Sequence, residues 1–567
     1  MSIRETAERV GERYEVERLL GTGSYGTVYS AYDPVRSTRV ALKRLRQTDA
    51  KALYRFKKEF RALSRMSHPN LVALHELFVS EGEWYLAMEL VEGAPLVDFF
   101  GGSEASAAAR ASSTLVQTLD ASDTGLPSGA MPVGEDPRAA VARPDGGTVI
   151  ERDWEEVRGV FAQVARALAA LHADGMLHRD LKPHNVLVTA TGRPVVLDFG
   201  LVTELGPRGQ SADSAIIGTP LYMAPEQATG RPAGPRSDVY ALGVMLYEVL
   251  TGALPYVHEN VLSLLWSKIH GGAPSPRELN PAVPEDLAQL CVELLAVEPE
   301  ARPDAAAVMA RLTQVEAPRA FAVEEAGRRF VGREPELATL REAFARCRDG
   351  GEPVVALVEG ESGMGKTALI ECLLDEVAHR DGAFVLRGRC YEQDFVPYKT
   401  VDAVVDELSG YLGSQAGPRA AALLPAHARE LARLFPVFGQ ALDAGRSAQL
   451  EPLVDDPIVA KRRGFGALRE LLFRITREGP VVAFIDDVQW GDAESADVLV
   501  DLMRAPAAPP VFWAVVFRGD ERATSPFLRA LLARLAAEPD VARQHLPLTG
   551  LPPEAAAALV AQLLPTE

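Results

Sequence analysis

His178-Arg179-Asp180-Leu181-Lys182-Pro183-His184-Asn185 is followed, thirteen residues after its last member, by Asp198-Phe199-Gly200, which closes the apolar run Val195-Val196-Leu197. Taken alone, any of these polar residues would read as a loop charge between two strands. In this order they equip two loops for phosphoryl transfer. That chemistry needs an acceptor for the hydrogen bond of an attacking hydroxyl, oxygen ligands for magnesium, and fixed positive charge beside the moving phosphoryl group. Asp180 can supply the first, Asn185 and Asp198 the second, and Lys182 the third.

Working upstream, Tyr14 to Leu20 alternates as a strand and runs into Gly21-Thr22-Gly23-Ser24-Tyr25-Gly26-Thr27-Val28. A lone GxGxxG also marks dinucleotide-binding folds. Here a second strand-like run, Val28 to Tyr32, follows in place of a helix, which suits a lid whose glycines let backbone amides approach phosphates. Val40-Ala41-Leu42-Lys43 reads as a strand carrying a phosphate-anchoring lysine. Phe56, Phe60, Leu63 and Met66 share one helical face. Glu59 lies one step off that face and is the expected partner of Lys43; its alternative reading is a solvated helix charge. Trp84 to Leu90 is a further strand.

Together these segments resemble a serine/threonine protein kinase of the eukaryotic-like type found in bacteria. The Lys182-Pro183 pair resembles the Ser/Thr rather than the Tyr class. The resemblance implies that ATP lies under the lid, bound by Leu20, Gly21, Gly23, Gly26, Val28 and Ala41, with Lys43 on its phosphates. It makes Met88 the gatekeeper and Glu89 to Val91 the hinge that holds adenine. Magnesium, with manganese as an alternative, falls to Asn185 and Asp198. Thr219, in Gly218-Thr219-Pro220, belongs to the substrate-binding loop, and Glu226 of Ala224-Pro225-Glu226 pairs with Arg302. Asp238 braces the catalytic loop from a buried helix. Arg179 is placed to order the activation segment by pairing with a phosphorylated Ser211 or Ser214.

Composition changes at about 101–150, a stretch rich in Ala, Ser, Gly, Pro and Asp. It has too little bulky apolar content to offset the entropy of ordering it, so a disordered insert is expected. Trp154, Val157, Val160, Phe161, Val164, Leu168 and Leu171 then recur at helical spacing, with Gly175 as the stop. The expected kinase domain covers 10–315, behind a tail of 1–9 and ahead of a linker at 316–328.

A second machine is expected at 329–567. Val354 to Val358 is a buried strand leading into Gly360-Glu361-Ser362-Gly363-Met364-Gly365-Lys366-Thr367. Strand, glycine loop and helix start form the context that phosphate binding requires. The amides beside Gly360, Gly363 and Gly365 cradle phosphates, Lys366 reaches the terminal ones and Thr367 can ligate magnesium. Val481 to Asp487 supplies the companion strand. Asp486 is expected to hold magnesium and Asp487 to position or activate the attacking water. Arg518, at the end of the strand-like run Val511 to Phe517, is placed like a sensor facing the terminal phosphate; its alternative is an ordinary strand-end charge. With Val488-Gln489-Trp490-Gly491-Asp492, these motifs resemble the AAA-related signal-transduction ATPases with numerous domains. The chain stops inside what reads as the helical lid, so this domain is expected to be truncated there.

The expected fold class is therefore multidomain: an α+β two-lobe protein kinase fold followed by an α/β P-loop NTPase with a parallel sheet. A length of 567 residues fits three or four structural units, and 47% hydrophobic with 24% charged residues describes a globular chain. The net charge of −19 argues against a nucleic-acid or anionic-membrane binder. Four cysteines without CxxC spacing read as reduced thiols. No signal-peptide pattern and no window of about 18 apolar residues is found, which points to the cytoplasm without a membrane span. The expected function is a serine/threonine protein kinase acting on proteins, with ATP at two sites and an ATPase switch that answers to a regulatory protein partner. Two rivals stand beside it: a scaffold with a kinase fold, and an ATPase-centred regulator to which the kinase is accessory.

Overall fold

The structure is a computed structural model. It describes residues 9–557 except 12, 24–25, 46–49, 65, 102–149, 198–202, 205–219, 259, 314–331, 416, 446–448 and 505–507. The expected insert, Asp198, Ser211, Ser214, Thr219, the linker and the end of the lid thus lie outside the described residues. The chain divides into two compact units.

The first unit comprises Met1–Lys43, Arg55–His75 and Ala87–Phe321. Its strands Arg9–Val10, Tyr14–Gly23 and Gly26–Asp33 pair antiparallel in chain order. The helix Ala50–Leu63, whose residues from Arg55 onward belong to this unit, begins six residues before the expected Phe56 and stops three short of Met66. The Ser64 hydroxyl donates to Arg61 O at 3.2 Å, a local side-chain bond that competes with helix continuation.

The core is built on two helices. Trp154–Ala173 starts where Asp153 accepts from the amides of Glu155 (3.0 Å) and Glu156 (3.2 Å), an N-cap that the acidic first turn reinforces. Its stripe of Val157, Val160, Phe161, Val164, Leu168 and Leu171 is fully buried. Asp174 caps its end and Gly175, at φ +72°, turns the chain back. Pro235–Thr251 is buried on all sides, as a central helix must be, and ends at Gly252 in the left-handed conformation. Between them, Val186–Val188 and Pro194–Val196 form an antiparallel hairpin that presents the loop 178–185.

The second unit comprises Arg44–Tyr54, Glu76–Leu86 and Ala322–Glu567. Its five-stranded sheet is all parallel, in the spatial order Phe384–Arg389, Val481–Asp486, Val511–Arg518, Val354–Gly360, Ala542–Pro547. Burial on both faces explains why Val511 to Phe517 is an unbroken apolar run. Alternate residues Val354, Ala356 and Val358 enter one cluster with Leu337, Leu340 and Phe344 of helix Glu334–Gly350 and Leu369 and Leu373 of helix Lys366–Asp381. Inside this unit Asp394 and Phe395 pair in parallel with Leu77 and Phe78, and Gln440 donates to Ala50 O at 3.0 Å. Among the described residues no helix is long and apolar enough to cross a membrane.

Candidate active sites

In the first unit the loop 178–185 is fixed by its backbone. Asp238, in the first turn of Pro235–Thr251 and 1% exposed, accepts from the amides of His178 (3.0 Å) and Arg179 (2.8 Å). It also bonds the His172 ring at 2.9 Å. Burial opposes ionisation of Asp238, and these bonds outweigh it, so its carboxyl is held below the usual range. Arg179 adopts φ +66°, a left-handed conformation that costs energy in a non-glycine residue and is held by this anchoring. The His178 ring bonds Leu197 O at 3.0 Å.

This frame gathers three of the expected site residues. Lys182 Nζ lies 2.7 Å from Asp180 Oδ2. Asn185 Nδ2 donates to Asp180 O at 2.8 Å and reaches Asp180 Oδ2 at 3.3 Å. The amide of Leu197 donates to Asn185 O at 2.7 Å, so the chain leading to Asp198 is tied to Asn185.

Lys43 is 5% exposed on the strand Thr38–Leu45, with Nζ 5.9 Å from the Phe56 ring centre. Glu59 sits three residues beyond Phe56 on the same helix; its side chain is outside the described residues. In the lid Gly21 faces Val28 and Gly23 faces Gly26, and Leu20 is exposed while Ala41 is buried. Met88 and Val91 pack half-buried against the core. Glu89 is already engaged: its amide donates to Ala73 O at 2.8 Å and its carboxylate pairs with Arg193 at 2.6 Å. Within the expected hinge, the amide and carboxylate of Glu89 are therefore committed to the protein itself.

In the second unit Gly363 (φ +81°) and Gly365 (φ +79°) adopt the left-handed turns that let the loop wrap back to the helix start at Lys366. A side chain on Gly360 would meet Leu548 O at 2.9 Å. Lys366 Nζ donates to Gly360 O (2.9 Å) and Glu361 O (2.7 Å), and burial lowers its pKa. Thr367 Oγ1 donates to Asp486 Oδ2 at 2.9 Å. Burial and then the neighbouring Asp487 raise the Asp486 pKa. A hydroxyl beside a buried carboxylate at a helix N-terminus is a donor set that fits magnesium, a hard cation that prefers oxygen ligands.

Asp487 stands at φ +51° and is clamped by an ion pair with Arg389 and by Gln489 Nε2 at 2.9 Å. Gln489 Oε1 in turn accepts from the Arg518 amide at 3.2 Å, linking the two strand ends. Three residues here escaped the sequence reading of roles. Arg389 ends its strand opposite Asp486, Gln489 bridges Asp487 to Arg518, and Arg333, 4% exposed, donates to Met364 O (3.0 Å) and Thr549 O. Gln489 stood in the quoted motif Val488 to Asp492, but nothing in its spacing named its partners. Arg389 carried no signal at all.

Residues 14–312 match the family described as protein tyrosine and serine/threonine kinase, and residues 329–515 match the AAA ATPase domain. Among curated proteins the chain is similar to the serine/threonine-protein kinase PrkC of Bacillus subtilis, 29% identical over 52% of this chain and 38% of that protein. It is 34% identical to the DNA damage-responsive serine/threonine-protein kinase RqkA of Deinococcus radiodurans, over 53% of this chain and 39% of the relative. It is 31% identical to the serine/threonine-protein kinase PknA of Mycobacterium tuberculosis, over 50% and 56% respectively. In each case the match spans less than two thirds of the relative.

Proposed function

This chain belongs to the protein tyrosine and serine/threonine kinase family and carries an AAA-type ATPase domain behind its kinase domain, and from that premise we propose that it transfers the γ-phosphoryl group of ATP to serine and threonine hydroxyls of proteins. The observation that carries the proposal is the Asp180 carboxylate, within hydrogen-bond reach of both Lys182 Nζ and Asn185 Nδ2 on a loop pinned by Asp238. A carboxylate so placed accepts a hydrogen bond from the substrate hydroxyl and aims its oxygen at phosphorus. Lys182 offsets charge gathering on the phosphoryl oxygens. Lys43, oriented by Glu59, holds the α and β phosphates beneath the lid of Leu20, Gly21, Gly23, Gly26 and Val28. Ala41, Met88 and the backbone from Glu89 to Val91 bound the adenine. Asn185 and Asp198 would hold magnesium or manganese, which would supply positive charge to the phosphates.

The second unit is assigned a second ATP site. Gly360, Gly363, Gly365 and Lys366 take the phosphates, Thr367 and Asp486 the metal, Asp487 the attacking water, and Arg518 the terminal phosphate. Its role is that of a switch answering to a regulatory protein, with kinase domain 10–315 and ATPase domain 329–567 as the working pieces. Cys291, Cys347, Cys372 and Cys390, which form no disulfide among the described residues, support a cytoplasmic location, and the net charge of −19 argues against nucleic acid as a partner. Phosphoproteomes of cells carrying the wild type or Asp180→Asn test the reading. Serine and threonine sites lost in the variant are expected, and identical phosphoproteomes would overturn it.

A further inference from the structure

The helix Val261–His270 is N-capped by Asn260, whose side chain accepts from the Ser263 amide at 2.7 Å. Lys268 sits in its last turn, where a lysine ordinarily reaches solvent and complements the helix dipole. Here it is 2% exposed. Its Nζ donates to Pro220 O (2.9 Å), Leu221 O (2.6 Å) and Met223 O (2.8 Å), so all three ammonium protons are spent on one short segment. The Tyr240 ring centre lies 5.4 Å from the same nitrogen. Burying an ammonium among neutral carbonyls is costly, and burial pushes the Lys268 pKa well down.

What the lysine holds is informative. Leu221, Tyr222 and Met223 are buried, and Tyr222 is tied further by its hydroxyl to Glu248 at 2.9 Å. Tyr222 and Met223 line, together with Arg179 and Asp180, a small gap of about 10 Å³, so the segment abuts the loop that carries Asp180. Met223 also packs on Leu265, one turn before Lys268. Three carbonyls turned toward one point fix the path of the segment more tightly than apolar packing does, because each is directional.

We propose that Lys268 is a positioning residue for the protein acceptor: by gathering the carbonyls of Pro220, Leu221 and Met223 it sets the wall against which a serine- or threonine-bearing segment lies beside Asp180. This rests on the reading of Asp180 as the catalytic carboxylate. Lys268 touches neither ATP nor the acceptor, so its loss weakens acceptor binding and leaves the nucleotide site alone.

The test uses the full chain with casein as acceptor and labelled ATP, comparing wild type with Lys268→Met and Lys268→Gln. The glutamine amide keeps two donors and carries the test should the methionine variant fail to fold. The acceptor KM is expected to rise about tenfold in Lys268→Met and less in Lys268→Gln, with the KM for ATP within about twofold in both, the pattern of lost ground-state acceptor binding. Hydrogen exchange at the amides of 221–224 should accelerate in the same order. An unchanged acceptor KM in both variants would overturn the proposal, as would equal increases in the KM for ATP. Absence of transfer by the wild type would instead overturn the reading of Asp180.

Discussion

Replacing Arg302 by methionine should destabilise the first unit by about 3–5 kcal/mol, the cost of leaving one member of a buried ion pair unpartnered. Arg302 is 1% exposed and spends all five of its N–H donors. Two go to the Glu226 carboxylate at 2.8 Å each, and three to Ala296 O (2.8 Å), Val297 O (2.8 Å) and Arg236 O (2.9 Å). Glu226, 3% exposed, would still accept from the Ser237 hydroxyl at 2.6 Å but would lose its charged partner. Hydrogen exchange read at Pro235–Thr251 in the full chain measures the loss without mixing the two units. In a Glu226→Gln background the same substitution should cost less by about 1–3 kcal/mol, a coupling expected of contacting partners.

The pH dependence carries a sign. Burial opposes ionisation of Glu226, but Arg302 outweighs it and the folded carboxyl titrates below its ordinary range. Its contribution is therefore complete above the unfolded pKa of about 4.3 and is lost as pH falls through the folded value. In Arg302→Met burial dominates, the folded pKa rises, and stability is lost as pH increases past about 4.3. The cost of the substitution should be largest near neutrality and shrink toward acid. A loss below about 1 kcal/mol, within the range of ordinary surface substitutions or little more, would refute the reasoning.

Arg389→Ala should release Asp487 and raise ATP hydrolysis at the second site at least about threefold, a small part of the range attributed to a general base; a fall in turnover would contradict the view that the ion pair restrains it. Lys366→Ala should abolish nucleotide binding at that site and change kinase rate by about 5- to 150-fold, the span of a typical allosteric coupling. Equal kinase rates for wild type, Lys366→Ala and a chain ending after residue 320 would show two uncoupled units. Mass spectrometry of active protein should find phosphate at Ser211 or Ser214, and full activity in the double Ser→Ala variant would rule out that switch.

Which of these residues could be read in advance follows from where their partners lie. Asp180, Lys182 and Asn185 fall within six consecutive positions, so the chemistry is written into one short stretch, and the same holds for the loop from Gly360 to Thr367. The helix Trp154–Ala173 was legible because its stripe and stop agree. Lys268 was not: in Leu-Trp-Ser-Lys-Ile-His it looks like an exposed last-turn charge, and its partners are backbone carbonyls 45 to 48 residues away. Arg333 reaches Thr549 O across 216 residues. Carbonyls exist at every position, so no residue type in the sequence announces which ones a distant cation will meet. The start of helix Ala50–Leu63 was missed for a different reason, since its first turn, Ala50-Lys51-Ala52-Leu53, lacks a bulky periodic stripe.

The central claim is that Asp180 performs phosphoryl transfer to protein hydroxyls. Its most direct test is transfer of labelled γ-phosphate from ATP to casein by wild type and Asp180→Asn, alongside ATP affinity. The substitution keeps the side-chain shape, while the backbone anchors from Asp238 to His178 and Arg179 remain. The account predicts unchanged ATP affinity with transfer reduced by at least about a hundredfold, or roughly 2.7 kcal/mol of transition-state stabilisation. Transfer by Asp180→Asn at more than about a tenth of the wild-type rate, a difference under roughly 1.4 kcal/mol, would contradict it.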